Sequence, residues 1–165
     1  MTVIALRALA PADLPFARAM LYESMAPRPL GEPEEVVARP EIRKYLDAWG
    51  RRGDRGFVAS LEGIDAGAVW YRLFPESDPG YGFVDVATPE ISTLAVVAEL
   101  RGRGVGTRLL ETAIAAARDD GFVQLSLSVH RTNTGARQLY ERAGFLPREE
   151  MASSNEGSVT MVLKL

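Results

Sequence analysis

Leu94 to Leu110 read LAVVAELRGRGVGTRLL, an apolar run, then an arginine and glycine cluster, then apolar residues at helical spacing. A strand that passes through such a turn into a helix forms a cradle for a phosphate-bearing ligand. Glycines let backbone N–H groups converge and be approached closely, and the helix start adds unpaired amides and the positive end of its dipole. Arg101, Arg103 and Arg108 are expected to add mobile positive charge.

Downstream, Val105, Leu109, Ala113 and Ala116 or Ala117 mark the buried stripe of this helix, and Gly121 stops it. Leu125, Leu127 and Val129 alternate with Gln124, Ser126 and Ser128 as a half-buried strand. Strand, cradle, helix and strand make one crossover, which sets its two strands parallel. Asn133 opens another helix, Gly144 ends it, and strands at Phe145 to Glu150 and Ser158 to Leu165 follow, joined by the polar loop Ala152 to Gly157. Upstream, Ile91 to Val97 is the central strand, and Phe57 to Leu61 with Gly67 to Phe74 form a hairpin around Glu62 to Asp65. Val3 to Leu9 is a first strand, and Pro11, Asp13 and Pro15 lead into a helix over Phe16 to Met25. After the stiff loop of Pro27, Pro29, Gly31 and Pro33, helical spacing resumes through Val36, Val37, Ile42, Tyr45, Leu46 and Trp49. Pro75 to Pro89 is turn-rich with room for a short edge strand. The order is mixed α/β.

Hydrophobic residues are 47% of the chain and charged ones 25%, which suits a single domain over residues 1–165. A net charge of −3 gives no general attraction to nucleic acid or to an anionic membrane, so the arginines near position 101 are a local feature. Cysteine is absent, which excludes disulfides, thiolate metal sites and a cysteine nucleophile. With one histidine, His130, and no metal-binding spacing, no metal is expected. The start lacks a signal-peptide pattern, and no run approaches about 18 apolar residues, so a cytoplasmic location is expected.

The spacing separates the kinds of cradle. A Walker loop needs GxxxxGK before Ser or Thr, and Gly102 is followed by Arg, Gly, Val, Gly and Thr. A dinucleotide fingerprint needs GxGxxG after the first strand of its unit, whereas Gly102, Gly104 and Gly106 give GxGxG late in the chain. Arg101 to Gly106 instead resembles the R/Q-x-x-G-x-G/A motif of the GNAT N-acetyltransferase superfamily. The similarity extends through EISTLAV (Glu90 to Val96) and LSVHRTNTGARQLYERAGF (Leu127 to Phe145), with an Asn, a Tyr and a Gly-Phe pair in the family's order. Thr134 and Gly135 depart from the proline or alanine often found after that Asn.

The resemblance implies a mixed, mostly antiparallel sheet of about six to seven strands with a splayed parallel central pair and about four flanking helices. It implies acetyl-CoA as cosubstrate, a primary amine of a small molecule or protein as acceptor, and direct attack on the thioester. Residues Arg101, Gly102, Arg103, Gly104, Val105, Gly106 and Thr107 would hold the pyrophosphate, and Leu94, Ala95 and Val96 the pantetheine arm, with Asn133 and Tyr140 beside them. Pantetheine is in effect a short peptide, so a strand edge suits it, and a backbone N–H near Val96 suits the thioester carbonyl. Glu90, four residues before Leu94 where several members place their base, is the candidate general base, directly or through water; Ser128 stands where other members carry a glutamate, which leaves Glu90 or a water chain. Tyr140, seven residues and about two helical turns after Asn133, is the candidate acid or hydrogen-bond donor near the CoA sulfur. Asn133 also suits a helix N-cap, and His130 reads as structural or solvent-facing. Acceptor contacts are expected from residues 24–40 and 151–158, and most of Trp49, Trp70, Tyr71, Phe74, Tyr81 and Phe83 from the core. Relatives are often dimers, and the apolar C-terminal strand Ser158 to Leu165 is a candidate interface. The alternative is a noncatalytic acyl-CoA binding or sensing module.

Overall fold

The computed structural model describes residues 3–148 and 157–165. In chain order these form β1 (Ile4–Ala8), α1 (Leu14–Glu23), α2 (Pro33–Val37), α3 (Pro40–Arg43), β2 (Arg55–Leu61), β3 (Ile64–Arg72), β4 (Glu90–Val96), α4 (Val105–Asp119), β5 (Gln124–His130), α5 (Thr134–Ala143), β6 (Leu146–Pro147) and β7 (Ser158–Lys164). One seven-stranded sheet has the order β1-β2-β3-β4-β5-β7-β6. Every neighbouring pair is antiparallel except β4 and β5, as the crossover through α4 requires.

The sheet divides two apolar cores. On one side α4 presents Val105, Leu109, Leu110, Ala113 and Ala117, all buried, to β2, β3 and β5, and its alanines let the helix axis lie close to the strands. On the other side Ala17, Met20 and Leu21 of α1 meet Val36, Ile42, Tyr45 and Trp70. The β2–β3 hairpin turns on Glu62 and Gly63 with φ of 52° and 83°, the left-handed pair that matches strand twist.

Four expectations change. The spacing from Val36 to Trp49 is not one helix, because Pro40 holds Arg39 in an extended conformation (ψ 138°) and restarts the chain as α3. Two short helices therefore raise the helix count to five. Among the described residues, Pro75 to Pro89 holds turns rather than an edge strand, closed by Phe83 N–H to Gly80 O at 3.1 Å and Thr88 N–H to Asp85 O at 3.3 Å. The strand expected at Phe145 to Glu150 is two residues long, its last two positions lying outside the described residues. Finally, β7 is terminal in the chain but internal in the sheet, between β5 and β6, with six of its seven residues buried. It is no open edge for an interface.

Candidate functional site

The strand pair at the centre opens into a cleft. β4 and β5 share one register pair, Glu90 with Ser126, and then diverge. The cause lies on the other edge of β4, where Tyr71 faces Ile91 but Trp70 faces Thr93, leaving Ser92 as the extra residue of a bulge that bends the strand away. Beyond the bulge, Val97 N–H turns to Ala66 O at 2.8 Å on β3. By strand alternation the N–H groups of Leu94 and Val96 then face the cleft.

At the end of β4 a 3-10 turn (Ala98–Leu100) leads to the glycines. Gly102 and Gly104 take φ of 78° and 84°, the left-handed region that a side chain resists, and Gly104 caps α4. The first amide of this helix to find a backbone partner is Arg108, which bonds Gly104 O at 3.1 Å, so the N–H groups of Val105, Gly106 and Thr107 are left for a ligand. Added Cβ atoms at Gly102 and Gly104 would meet nothing within 4 Å, so these two glycines serve conformation rather than clearance. Arg101 is not the mobile charge expected of it. Its Nε–H donates to Val96 O at 3.1 Å and its guanidinium pairs with Glu23 at 2.8 Å, which Arg28 also meets at 2.8 Å.

Val96, Gly104, Gly106, Asn133, Leu139 and Tyr140 line this glycine cleft. A second cavity of about 310 Å³ lies on the α1 side, walled by Met25, Tyr45, Tyr81, Glu90, Ser128 and His130. The two spaces share residues 24–27 of the loop after α1 and, between the strands, Leu94, Asn133, Ala136 and Tyr140, and so meet where the strands part. Residues 24–27 and Pro29 of the expected 24–40 loop border the second cavity; residues 151–156 lie outside the described residues.

Glu90 is not a solvated strand end. It is 2% exposed, because Gly80 and Gly82 lie so close that a Cβ would stand 2.5 Å from its Oε2 and 2.5 Å from Leu127 C, respectively. The Gly82 N–H donates to its carboxylate, and the Tyr45 phenol, held by the neighbouring Tyr81 N–H, stands beside it. Burial outweighs these donors and the nearby Lys44 ammonium, and pushes the carboxyl up to about 8. Tyr140 is buried, with its ring edge-on to Phe145 at 5.8 Å, and burial pushes its phenol up to about 12. Asn133 caps α5, its Oδ1 accepting Ala136 N–H at 3.3 Å, while bordering both spaces. His130 bonds Thr132 Oγ1 at 2.7 Å and also forms cavity wall. Trp70, Tyr71 and Phe74 are core, whereas Tyr81 borders the cavity.

Nothing local in the sequence marks Tyr45 or the glycines at 80 and 82 as site residues. Tyr45 follows an apolar spacing that reads as core, and the glycines sit in a turn-rich stretch. What distinguishes them is that one turn brings Gly82, eight residues before Glu90, and Tyr45, far earlier in the chain, to the same carboxyl.

Among known proteins, the model of the acetyltransferase (GNAT) family matches residues 18–145. The chain is 30% identical over 162 residues to a mycothiol acetyltransferase of Beutenbergia cavernae, covering 86% of this chain and 53% of that protein. It spans from about a quarter to about half the length of the mycothiol acetyltransferases it matches. The fold is similar to a ribosomal-protein-alanine N-acetyltransferase from Brucella melitensis, with TM-score 0.71, 21% identity, and 98% of this chain and 99% of that chain covered. It is also similar to PaiA N-acetyltransferase from Thermoplasma acidophilum in complex with coenzyme A, with TM-score 0.69, 20% identity and 99% of each chain covered.

Proposed function

The chain belongs to the GNAT acetyltransferase family, and from that premise we propose that it moves an acetyl group from acetyl-CoA to a primary amine of a small molecule or protein. The observation that carries this is the meeting of the glycine cleft with the Glu90 cavity at Leu94, Asn133 and Tyr140. A ligand with a phosphate end and a peptide-like arm fits the first space, and an amine the second. The unpaired amides of Val105, Gly106 and Thr107, with the turn at Arg101, Gly102, Arg103 and Gly104, would hold the pyrophosphate. Leu94, Ala95 and Val96 would pair with the pantetheine amides as an added strand.

When bound, acetyl-CoA supplies the activated thioester; the side chains must supply the proton handling. An alkylammonium with a pKa near 10.4 is well under 1% neutral at pH 7, so the amine must lose a proton before it attacks. Glu90, raised to about 8, is a far stronger base than an ordinary carboxylate and borders the cavity where the amine would sit. The Val96 N–H would polarise the thioester carbonyl. Tyr140 would donate a hydrogen bond to the sulfur as the C–S bond breaks. Full proton transfer from a phenol near 12 to a thiolate whose conjugate acid is near 8.5 is uphill by about 5 kcal/mol, so hydrogen bonding is the role that the burial of Tyr140 supports.

Calorimetric titration should show saturable binding of acetyl-CoA, and a panel of amines should include one that releases free CoA. No saturable binding at high micromolar concentration would sink the proposal, and binding without CoA release across the panel would move it to an acyl-CoA binding module. Tyr140→Phe should retain acetyl-CoA affinity while slowing single-turnover acetyl transfer about 10²-fold. An unchanged single-turnover rate would take the hydrogen-bonding role away from Tyr140.

A further inference from the structure

Tyr45 has no part in the steps above, yet its phenol is tied more closely than core packing requires. It follows α3, is 6% exposed, and borders the cavity that Glu90 walls. Its oxygen accepts the Tyr81 N–H at 2.6 Å. The next amide, Gly82 N–H, donates to Glu90, so consecutive amides of one turn hold the phenol oxygen and the carboxylate side by side, and the phenol proton has the carboxylate within its turn. The ring stands edge-on to Phe74 at 5.2 Å and tilted to Tyr81 at 6.0 Å.

The backbone around Tyr45 is pinned as well. Trp70 Nε1–H donates to Tyr45 O at 2.8 Å, and one Arg72 guanidinium nitrogen donates to Lys44 O at 2.9 Å and Asp47 O at 2.8 Å. Arg72 is the register partner of Glu90 across β3 and β4. One strand pair therefore fixes both the carboxyl and the peptide that carries the phenol beside it.

We propose that Tyr45 is a positioning residue for Glu90: its hydroxyl, oriented by the Tyr81 amide, donates to the ionised carboxylate and holds it as the base at the cavity wall. The proposal rests on Glu90 acting as the base. Other groups facing this carboxyl act differently. Lys44 turns its ammonium to Asp78 at 3.0 Å and Pro79 O at 2.6 Å, Arg72 is engaged by Asp54 at 2.6 Å, and His130 stands on β5 at the cavity wall, bonded to Thr132. The Gly82 amide is the backbone donor to the carboxylate. Loss of this amide or of the Tyr45 hydroxyl leaves a buried anion with one hydrogen bond fewer.

Tyr45→Phe keeps the ring and removes the donor. Carbon NMR titration of the Glu90 side-chain carboxyl, labelled with ¹³C, should find its midpoint about one pH unit higher than in the unsubstituted protein. The acid limb of kcat should move by the same amount with KM for acetyl-CoA unchanged, and in a Glu90→Gln background the substitution should change turnover less than twofold. Should the Phe variant not fold, 3-fluorotyrosine placed at position 45 is near-isosteric and a stronger donor, and should lower the midpoint. An unmoved Glu90 midpoint in either folded variant overturns the proposal. A moved midpoint in a protein that acetylates no amine would uphold the positioning of Glu90 while overturning its use as the base.

Discussion

Glu90→Gln should lower turnover about 10²- to 10³-fold with acetyl-CoA affinity unchanged, and should abolish the rise in rate with pH centred near 8. Gln matches the neutral carboxyl in shape and still accepts the Gly82 N–H, so the loss isolates proton abstraction from architecture. The same variant should behave oppositely in stability. The folded carboxyl titrates near 8 against about 4.5 when exposed, so the folded state holds the proton more tightly. Stability is then fully present below about 4.5, falls as pH rises towards 8, and is flat above it. At about 1.4 kcal/mol per pH unit that interval is worth on the order of 4–5 kcal/mol. Thermal melts should show the unsubstituted protein losing stability from pH 4.5 to 8 and Glu90→Gln lacking that slope. At pH 8.5 the variant should melt higher, by on the order of 10 °C for a chain of this size. Parallel melting curves with pH would remove the buried-carboxyl account, and an unchanged pH–rate profile would remove Glu90 as base.

Asp54→Ala should lower stability by about 3–5 kcal/mol. Asp54 and Arg72 form a two-pronged pair at 2.8 and 2.6 Å, with side chains 2% and 0% exposed. Asp54 also accepts the N–H groups of Gly50 and Arg51 at 3.0 and 2.9 Å, so its removal strands a buried guanidinium and frees the turn before β2. Urea unfolding measures the loss. The joint replacement of Asp54 and Arg72 by Leu and Met should recover most of it, because the cost is mainly an unpaired buried charge rather than a missing attraction. The double variant, though folded, should still turn over slowly, since Lys44 O and Asp47 O lose the donor that sets the peptide before Tyr45. A stable Asp54→Ala protein would show that water or rearrangement satisfies Arg72.

The crossover, the glycine turn and the helix ends at Gly121, Asn133 and Gly144 are legible directly, since the turn and the ends depend on residues within about one turn of one another. Helical spacing misled at Val36 to Trp49, where Pro40 restarts the chain locally although the apolar pattern continues. The turn formers between Pro75 and Pro89 are plain in the sequence, but their purpose, to bring Gly82 over Glu90, depends on a contact with β5 that no local pattern encodes.

The sequence by itself determined the family, the β4–α4–β5 crossover and the amide cradle, because these rest on φ preferences, helix ends and periodicity, all short-range properties. Tertiary structure alone decided that Glu90 is buried, that Arg101 is tied to Val96 and Glu23, and that β7 lies inside the sheet. It alone set Tyr45 and the carboxyl side by side, on consecutive amides of one turn. A carboxyl's basicity is set by the water excluded from it and the donors aimed at it, and both are supplied by segments that meet only when the chain has folded.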